Sequence, residues 1–209
     1  MLPDQELYDF SVAVTHNYCA GGVVNHNTET GAAEVACHLS GWYPPWWEGR
    51  RFDDPILAWT GCETAELSRD VVQLALLGKE GEHGTGWIPG ELIKKVSYRQ
   101  AGVNNVVDTI TVKHRSGGLS TCTLKTYRAG AGGDVARRVW QGAACHLIWL
   151  DEECPRAIYT EAQTRLLDND GRLIATWTPL IGQTWLVGHY MGLESDTDID
   201  ELSALQDAG

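Results

Sequence analysis

The chain has 209 residues, with 16 Lys and Arg against 28 Asp and Glu, for a formal charge of −12. That length suits one α/β domain with appendages and lets a real core form, and 43% hydrophobic with 21% charged residues excludes wholesale disorder. No apolar run reaches the roughly 18 residues of a membrane-spanning helix, the acidic start MLPDQELYDF has no signal-peptide layout, and so acidic a total argues against a simple nucleic-acid-coating protein.

In chain order, residues 1–27 carry no Lys or Arg and read as two short β stretches, Tyr8–Val14 and Gly22–Asn25, around a turn-rich HNYCAGG. TETGAAEVACHLSG predicts a helix from Thr28 that ends at Gly41, and PILAW predicts a short buried strand. ETAELSRDVVQLALLG has apolar residues at helical spacing, acids first and Gly78 last. VVDTITVKH and LSTCTLKTY flank RSGG, a hairpin with a longer loop. HLIWL is a continuous apolar run, as expected of a strand covered on both faces of a parallel sheet. A helix over Pro155–Leu167, the turn DNDG and the strand-like LIATWT follow. This alternation predicts a mixed, layered α/β domain over 28–193, with 194–209 an acidic tail or the start of a linker.

Cys19, Cys37, Cys62, Cys122, Cys145 and Cys154 form no C-x-x-C pair, so reduced thiols are expected rather than a zinc site. Trp42, Trp46 and Trp47 beside Pro44-Pro45 could stack on bases, but a proline-stiffened packing lid is the expectation. Arg137 and Arg138 read as a solvated helix face, with an arginine finger as the alternative.

Two constellations carry chemistry. The first is YDFSVAVTHNYCAGGVVNHN followed by Thr28. An Asn side chain can attack its own main-chain carbonyl and cleave the bond that follows it. His26, beside Asn27, is placed to protonate the leaving amine, and Thr28 offers a hydroxyl nucleophile. The two ordered blocks, YDFSV with Thr15-His16-Asn17-Tyr18 and then VVNHN, resemble the C-terminal end of an intein. By that resemblance His16 supports the Asn27 step and Asp9 assists the transfer to Thr28. An intein's N-terminal nucleophile block is not in this chain, so splicing implies an upstream half acting in trans or in a longer precursor. The other reading is a truncated gene fragment.

The second constellation is LIWLDEE, an apolar strand running into acids. In P-loop ATPases such a strand carries an Asp that holds Mg²⁺ and a Glu that orients the attacking water. A bare strand ending in Asp-Glu also describes a helix start capped by acids. No G-x-x-x-x-G-K-[ST] occurs in the chain. If excision joined an upstream GxxxxGK to Thr28, that residue would become the Mg²⁺-binding hydroxyl of the phosphate loop, at a helix N-terminus facing ATP.

GWYPPWWEGRRFDDPILAW, the ETAELSRDVVQ helix, VDTITVKHRSGG, WQG, LIWLDEECP and TWTPLIG together resemble phage terminase large subunits. The resemblance implies an α/β P-loop NTPase fold of the ASCE type, here lacking its first strand and preceded by the short β intein segment 1–27. It implies Asp151 as the Mg²⁺ acid and Glu152 as the catalytic acid. Thr176 and Thr178 fall in the segment that couples hydrolysis to DNA movement. It further implies ATP and Mg²⁺ as cofactors, and double-stranded viral DNA, the portal and the small terminase subunit as partners. A homo-oligomeric ring is implied, working in the cytoplasm of an infected bacterial host and transiently at the capsid portal, with no membrane partner. The family's nuclease domain is not expected within this chain. A helicase is the alternative ATPase, but Asp151-Glu152-Glu153-Cys154 departs from the DExD and DExH patterns. Because 1–27 hold three acids and 194–209 hold six, residues 28–193 carry 16 bases and 19 acids, near enough to neutral to admit a DNA partner.

Overall fold

The structure, a computed structural model, describes residues 18–20, 23–25, 27–128, 138–178 and 184–190. The predicted strand Tyr8–Val14 and the acidic tail lie outside the described residues. β1 (Tyr18–Ala20) and β2 (Val23–Asn25) pair antiparallel, Ala20 opposite Val23. Part of HNYCAGG, expected as a turn, is therefore a strand. The Gly-Gly between the paired ends is the hairpin signal that accounts for it.

α1 (Asn27–Ser40) starts one residue before the expected Thr28. It buries Ala32, Val35, Ala36 and Leu39, the three- and four-residue spacing of one helix face. It ends where Gly41 takes φ +72° and returns its N–H to the Cys37 carbonyl at 2.9 Å. β3 (Leu57–Cys62) follows, shifted toward the C-terminus from the predicted PILAW.

The predicted ETAELSRDVVQLALL helix is continuous but not uniform. α2 (Ala65–Leu67) and α3 (Leu74–Leu77) enclose a wide π-helical stretch, Ser68–Gln73. The wide turn brings the polar Gln73 inward. Its amide oxygen accepts from Val107 N at 2.9 Å and its amide nitrogen donates to the Asn105 carbonyl at 3.2 Å, pinning the loop before the next strand.

The expected hairpin is β5 (Val107–Lys113) against β6 (Leu119–Thr126), antiparallel. β4 (Ile93–Tyr98) pairs with β5 outside it and is not foreseen from sequence, because two register breaks and the adjacent Lys94 and Lys95 erase any alternating pattern. β7 (Leu147–Asp151), α4 (Arg156–Leu166), β8 (Arg172–Thr176) and α5 (Trp185–Tyr190) complete the described chain.

One six-stranded sheet has the order β4-β5-β6-β3-β7-β8. The strands β6, β3, β7 and β8 are mutually parallel, and β5 and β4 extend the sheet antiparallel. β7 is buried along its whole length, as its apolar run predicted. Its side chains alternate between two cores. Leu147 and Trp149 join the cluster under α1 and α3, while Ile148 and Leu150 join the one containing Ile158, Ala162 and Leu166 of α4. The sheet is thus a middle layer between two sets of helices. Each fully buried Leu, Ile or Val in these layers contributes roughly 1.5–3 kcal/mol.

The tryptophan-rich loop after α1 divides. Trp47 packs edge-on against buried His38 with ring centroids 5.5 Å apart, but Trp42 and Trp46 are 62% and 74% exposed, so the packing lid expected of all three holds only for Trp47. Among the described residues no helix is long and apolar enough to cross a membrane. Cys37-His38 and Cys145-His146 diverge: His38 contacts Tyr43 and Phe52, and Cys145 sits in the α4-side core while His146 meets Phe52.

Candidate active site

The carboxyl ends of the parallel strands and the first turn of α1 meet at one place, where open α/β sheets bind ligands. Asp151 is the last residue of β7 and Thr176 the last of β8, and the two are paired in register. The Thr176 hydroxyl donates to Asp151 Oδ1 at 2.8 Å. The Thr28 hydroxyl, 123 residues away in sequence, donates to the same oxygen at 3.0 Å. Asn27 Nδ2 donates to Thr178 Oγ1 at 3.1 Å, and Asn27 Oδ1 accepts the Thr28 N–H at 2.8 Å. Five of the residues singled out from sequence, Thr28, Asp151, Thr176, Asn27 and Thr178, thus form one network. His16, Asp9 and His26 lie outside the described residues, as does Arg137. Arg138 is exposed.

Asp151 is only 3% exposed. Burial pushes its carboxyl up to about 6, opposed by the hydroxyls of Thr176 and Thr28 and reinforced by neighbouring Glu152. A buried carboxylate beside a threonine hydroxyl is a hard oxygen donor pair suited to Mg²⁺, which takes its remaining ligands from water and phosphate. Among the described residues no cluster of three or more His, Cys, Asp or Glu could hold a metal through protein groups alone.

Glu152 follows at the strand end with φ +64°, a left-handed conformation for a non-glycine residue. Its N–H donates to the Thr176 carbonyl at 2.7 Å. An open cleft of about 850 Å³ flanks Thr28 on the α3 side, lined among others by Glu29, Leu74 and Trp87. Asp151 does not line it, so this volume lies beside the acid's own surroundings.

One contributor carries no mark in the sequence. Trp149 is fully buried under α1, and its indole N–H donates to Thr176 Oγ1 at 2.8 Å. Indole nitrogen is a donor only, so the Thr176 oxygen must accept from it and turn its own proton toward Asp151. Within HLIWL the residue reads as one more apolar strand position, with no polar signal to single it out. Gly31 makes the room, since a Cβ there would stand 2.5 Å from Trp149 Nε1 and Cε2. Gly31→Ala is therefore expected to lower stability by about 1–2 kcal/mol, overpacking outweighing the better helix propensity of Ala. Chemical denaturation checks this; an unchanged or raised midpoint would contradict it.

Comparison with known proteins bears on the whole arrangement. Residues 27–187 match the family described as "Terminase large subunit, T4likevirus-type, N-terminal". The chain is also 37% identical over 183 residues to "Terminase, large subunit" of Salmonella phage P22, which covers 78% of this chain and 35% of that relative. The chain therefore spans about a third of the length of the curated relative it matches. No solved structure matches.

Proposed function

This chain belongs to the terminase large-subunit family, and on that premise we propose that it is the C-terminal part of an intein-interrupted ATPase that drives viral DNA packaging once joined to its upstream half. The observation that carries the ATPase reading is the Thr28–Asp151 hydrogen bond, which sets a hydroxyl at the start of α1 beside the acid ending β7. A phosphate-loop Thr and a strand-end Asp need that proximity if both are to meet one Mg²⁺. In this reading Thr28 and Asp151 hold Mg²⁺, whose charge offsets that of the ATP phosphates. Glu152 orients the attacking water. Thr176 and Thr178 tie β8 to both partners, Thr176 to Asp151 and Thr178 to Asn27, so a displacement at the phosphates is passed to β8.

Among the described residues β8 pairs with a strand on one side only. The open side of β8 is where an upstream strand leading into GxxxxGK would add, completing the ASCE-type sheet. The family match begins at residue 27, which supports a change of module at that point. In the splicing step proposed for residues 1–27, Asn27 Nδ2 attacks its own carbonyl carbon. The bond to Thr28 breaks, and His26 delivers a proton to the leaving amine, with His16 supporting this step and Asp9 assisting the earlier transfer to Thr28. DNA, the portal, the small subunit and neighbouring copies in a ring are the partners of the joined protein, in the host cytoplasm and at the portal.

The test is co-expression with an upstream segment that ends in GxxxxGK plus an intein N-terminal block. The expected result is a joined product, lacking residues 1–27, that hydrolyses ATP, while this chain alone does not. A joined product without ATP turnover overturns the motor reading. Asn27→Ala is expected to abolish release at the Asn27–Thr28 junction; unchanged release, read by mass spectrometry, overturns the splicing reading and leaves the motor reading standing.

A further inference from the structure

Glu152 is held in the left-handed region, which costs energy for a side-chain-bearing residue and persists only where the surroundings impose it. One restraint is its own N–H, bonded to the Thr176 carbonyl at 2.7 Å. The second comes from a residue with no part in the chemistry above. Tyr127, 3% exposed, places its hydroxyl 2.9 Å from the Gly61 carbonyl, 3.0 Å from that of Asp151 and 3.4 Å from that of Glu152. The β3–β7 ladder has its last pair at Gly61 and Leu150, so these carbonyls lie where the two strands part. The hydroxyl spans the gap by sharing its single proton between the Gly61 and Asp151 carbonyls. Tyr127 is itself fixed, its N–H on the Cys62 carbonyl at 2.8 Å and its ring beside Trp140. Position 61 must be glycine for this, because a Cβ there would stand 2.8 Å from Tyr127 Cε1 and 2.5 Å from Trp140 Cη2.

We propose that Tyr127 is a positioning residue, whose hydroxyl clamps the end of β7 so that Glu152 keeps its left-handed backbone and hence its place in the site. The catalytic consequence rests on the reading of Glu152 as the water-orienting acid; the clamp itself does not.

Tyr127→Phe keeps the ring and removes only the hydroxyl. In the chain as it stands, amide exchange at residues 151–153 is expected to quicken at least about tenfold, with Trp59 and Ile148 in the strand interiors unchanged. In the joined enzyme kcat is expected to fall about 10- to 100-fold with KM for ATP within about twofold, the mark of lost positioning rather than lost binding. Unchanged exchange overturns the clamp, and a lowered melting temperature with kcat intact overturns the positioning role. If Glu152→Gln keeps full turnover while exchange at 151–153 quickens in Tyr127→Phe, the clamp stands and the assignment of Glu152 falls. Glu152→Gly, which removes the conformational penalty, gives a second measure: Tyr127→Phe should lower the melting temperature more in that background, because no backbone strain is then released to offset the lost hydroxyl contacts. Equal losses in both backgrounds overturn the proposal.

Discussion

Glu152→Gln is expected to leave ATP binding by the joined protein intact and to lower turnover about a thousandfold, the midrange of what one positioned acid–base group supplies. The substitution keeps size and hydrogen-bonding reach but removes the charge that draws a proton from water. The main-chain bond from residue 152 to Thr176 uses only the backbone and persists in the variant. Nucleotide affinity measured by equilibrium titration and turnover measured by phosphate release separate the two effects. Retained turnover would remove Glu152 from the mechanism, and lost binding would move its role to the ground state.

Asp151→Asn is expected to abolish hydrolysis and, in the free chain above pH 6, to raise stability. Burial lifts this carboxyl from an ordinary value near 3.8 to about 6 in the folded protein. A raised carboxyl binds more protons folded than unfolded, so the wild-type chain loses stability as pH climbs from about 4 to about 6 and is level above that. A rise of that size costs at most about 3 kcal/mol once the group is ionised. The neutral amide carries no such cost, and its oxygen can still accept from Thr28 and Thr176. The advantage of the Asn variant should therefore be absent near pH 4 and full by pH 7, which urea unfolding across that range reads directly. A difference that does not change with pH would show that ionisation of Asp151 is not the source of the cost. In the proposed reading the same charge is what a phosphate-borne Mg²⁺ would offset.

Much of this arrangement is legible in the chain itself. The apolar spacing of Ala32, Val35 and Leu39 and the stop at Gly41 mark α1, and the unbroken HLIWL run marks a central parallel strand. Asp151 and Thr28 stand out without any geometry, because acids after a buried strand and a hydroxyl opening a helix follow from covalent order, whereas Thr176 and Thr178 enter only through the family resemblance. The charge pattern is legible too: the acidity concentrates in 1–27 and 194–209 and leaves the domain between them near neutral.

Other features depend on packing between distant segments, which no local period encodes. β4 exists because β5 offers it an edge, although its own pattern is broken by two register shifts. The π-helical stretch goes with long-range bonds from Gln73 to the backbone at Asn105 and Val107. Trp149 and Tyr127 read as core residues, and only the folded chain shows an indole N–H orienting Thr176 and a phenol bridging the parted ends of β3 and β7. Sequence by itself singled out the candidate residues, since residue type and neighbour order set that. Tertiary structure decided how they are held, because a hydroxyl finds its acceptor across 123 residues only when helix, strand and the glycine at position 31 bring the two backbones close enough.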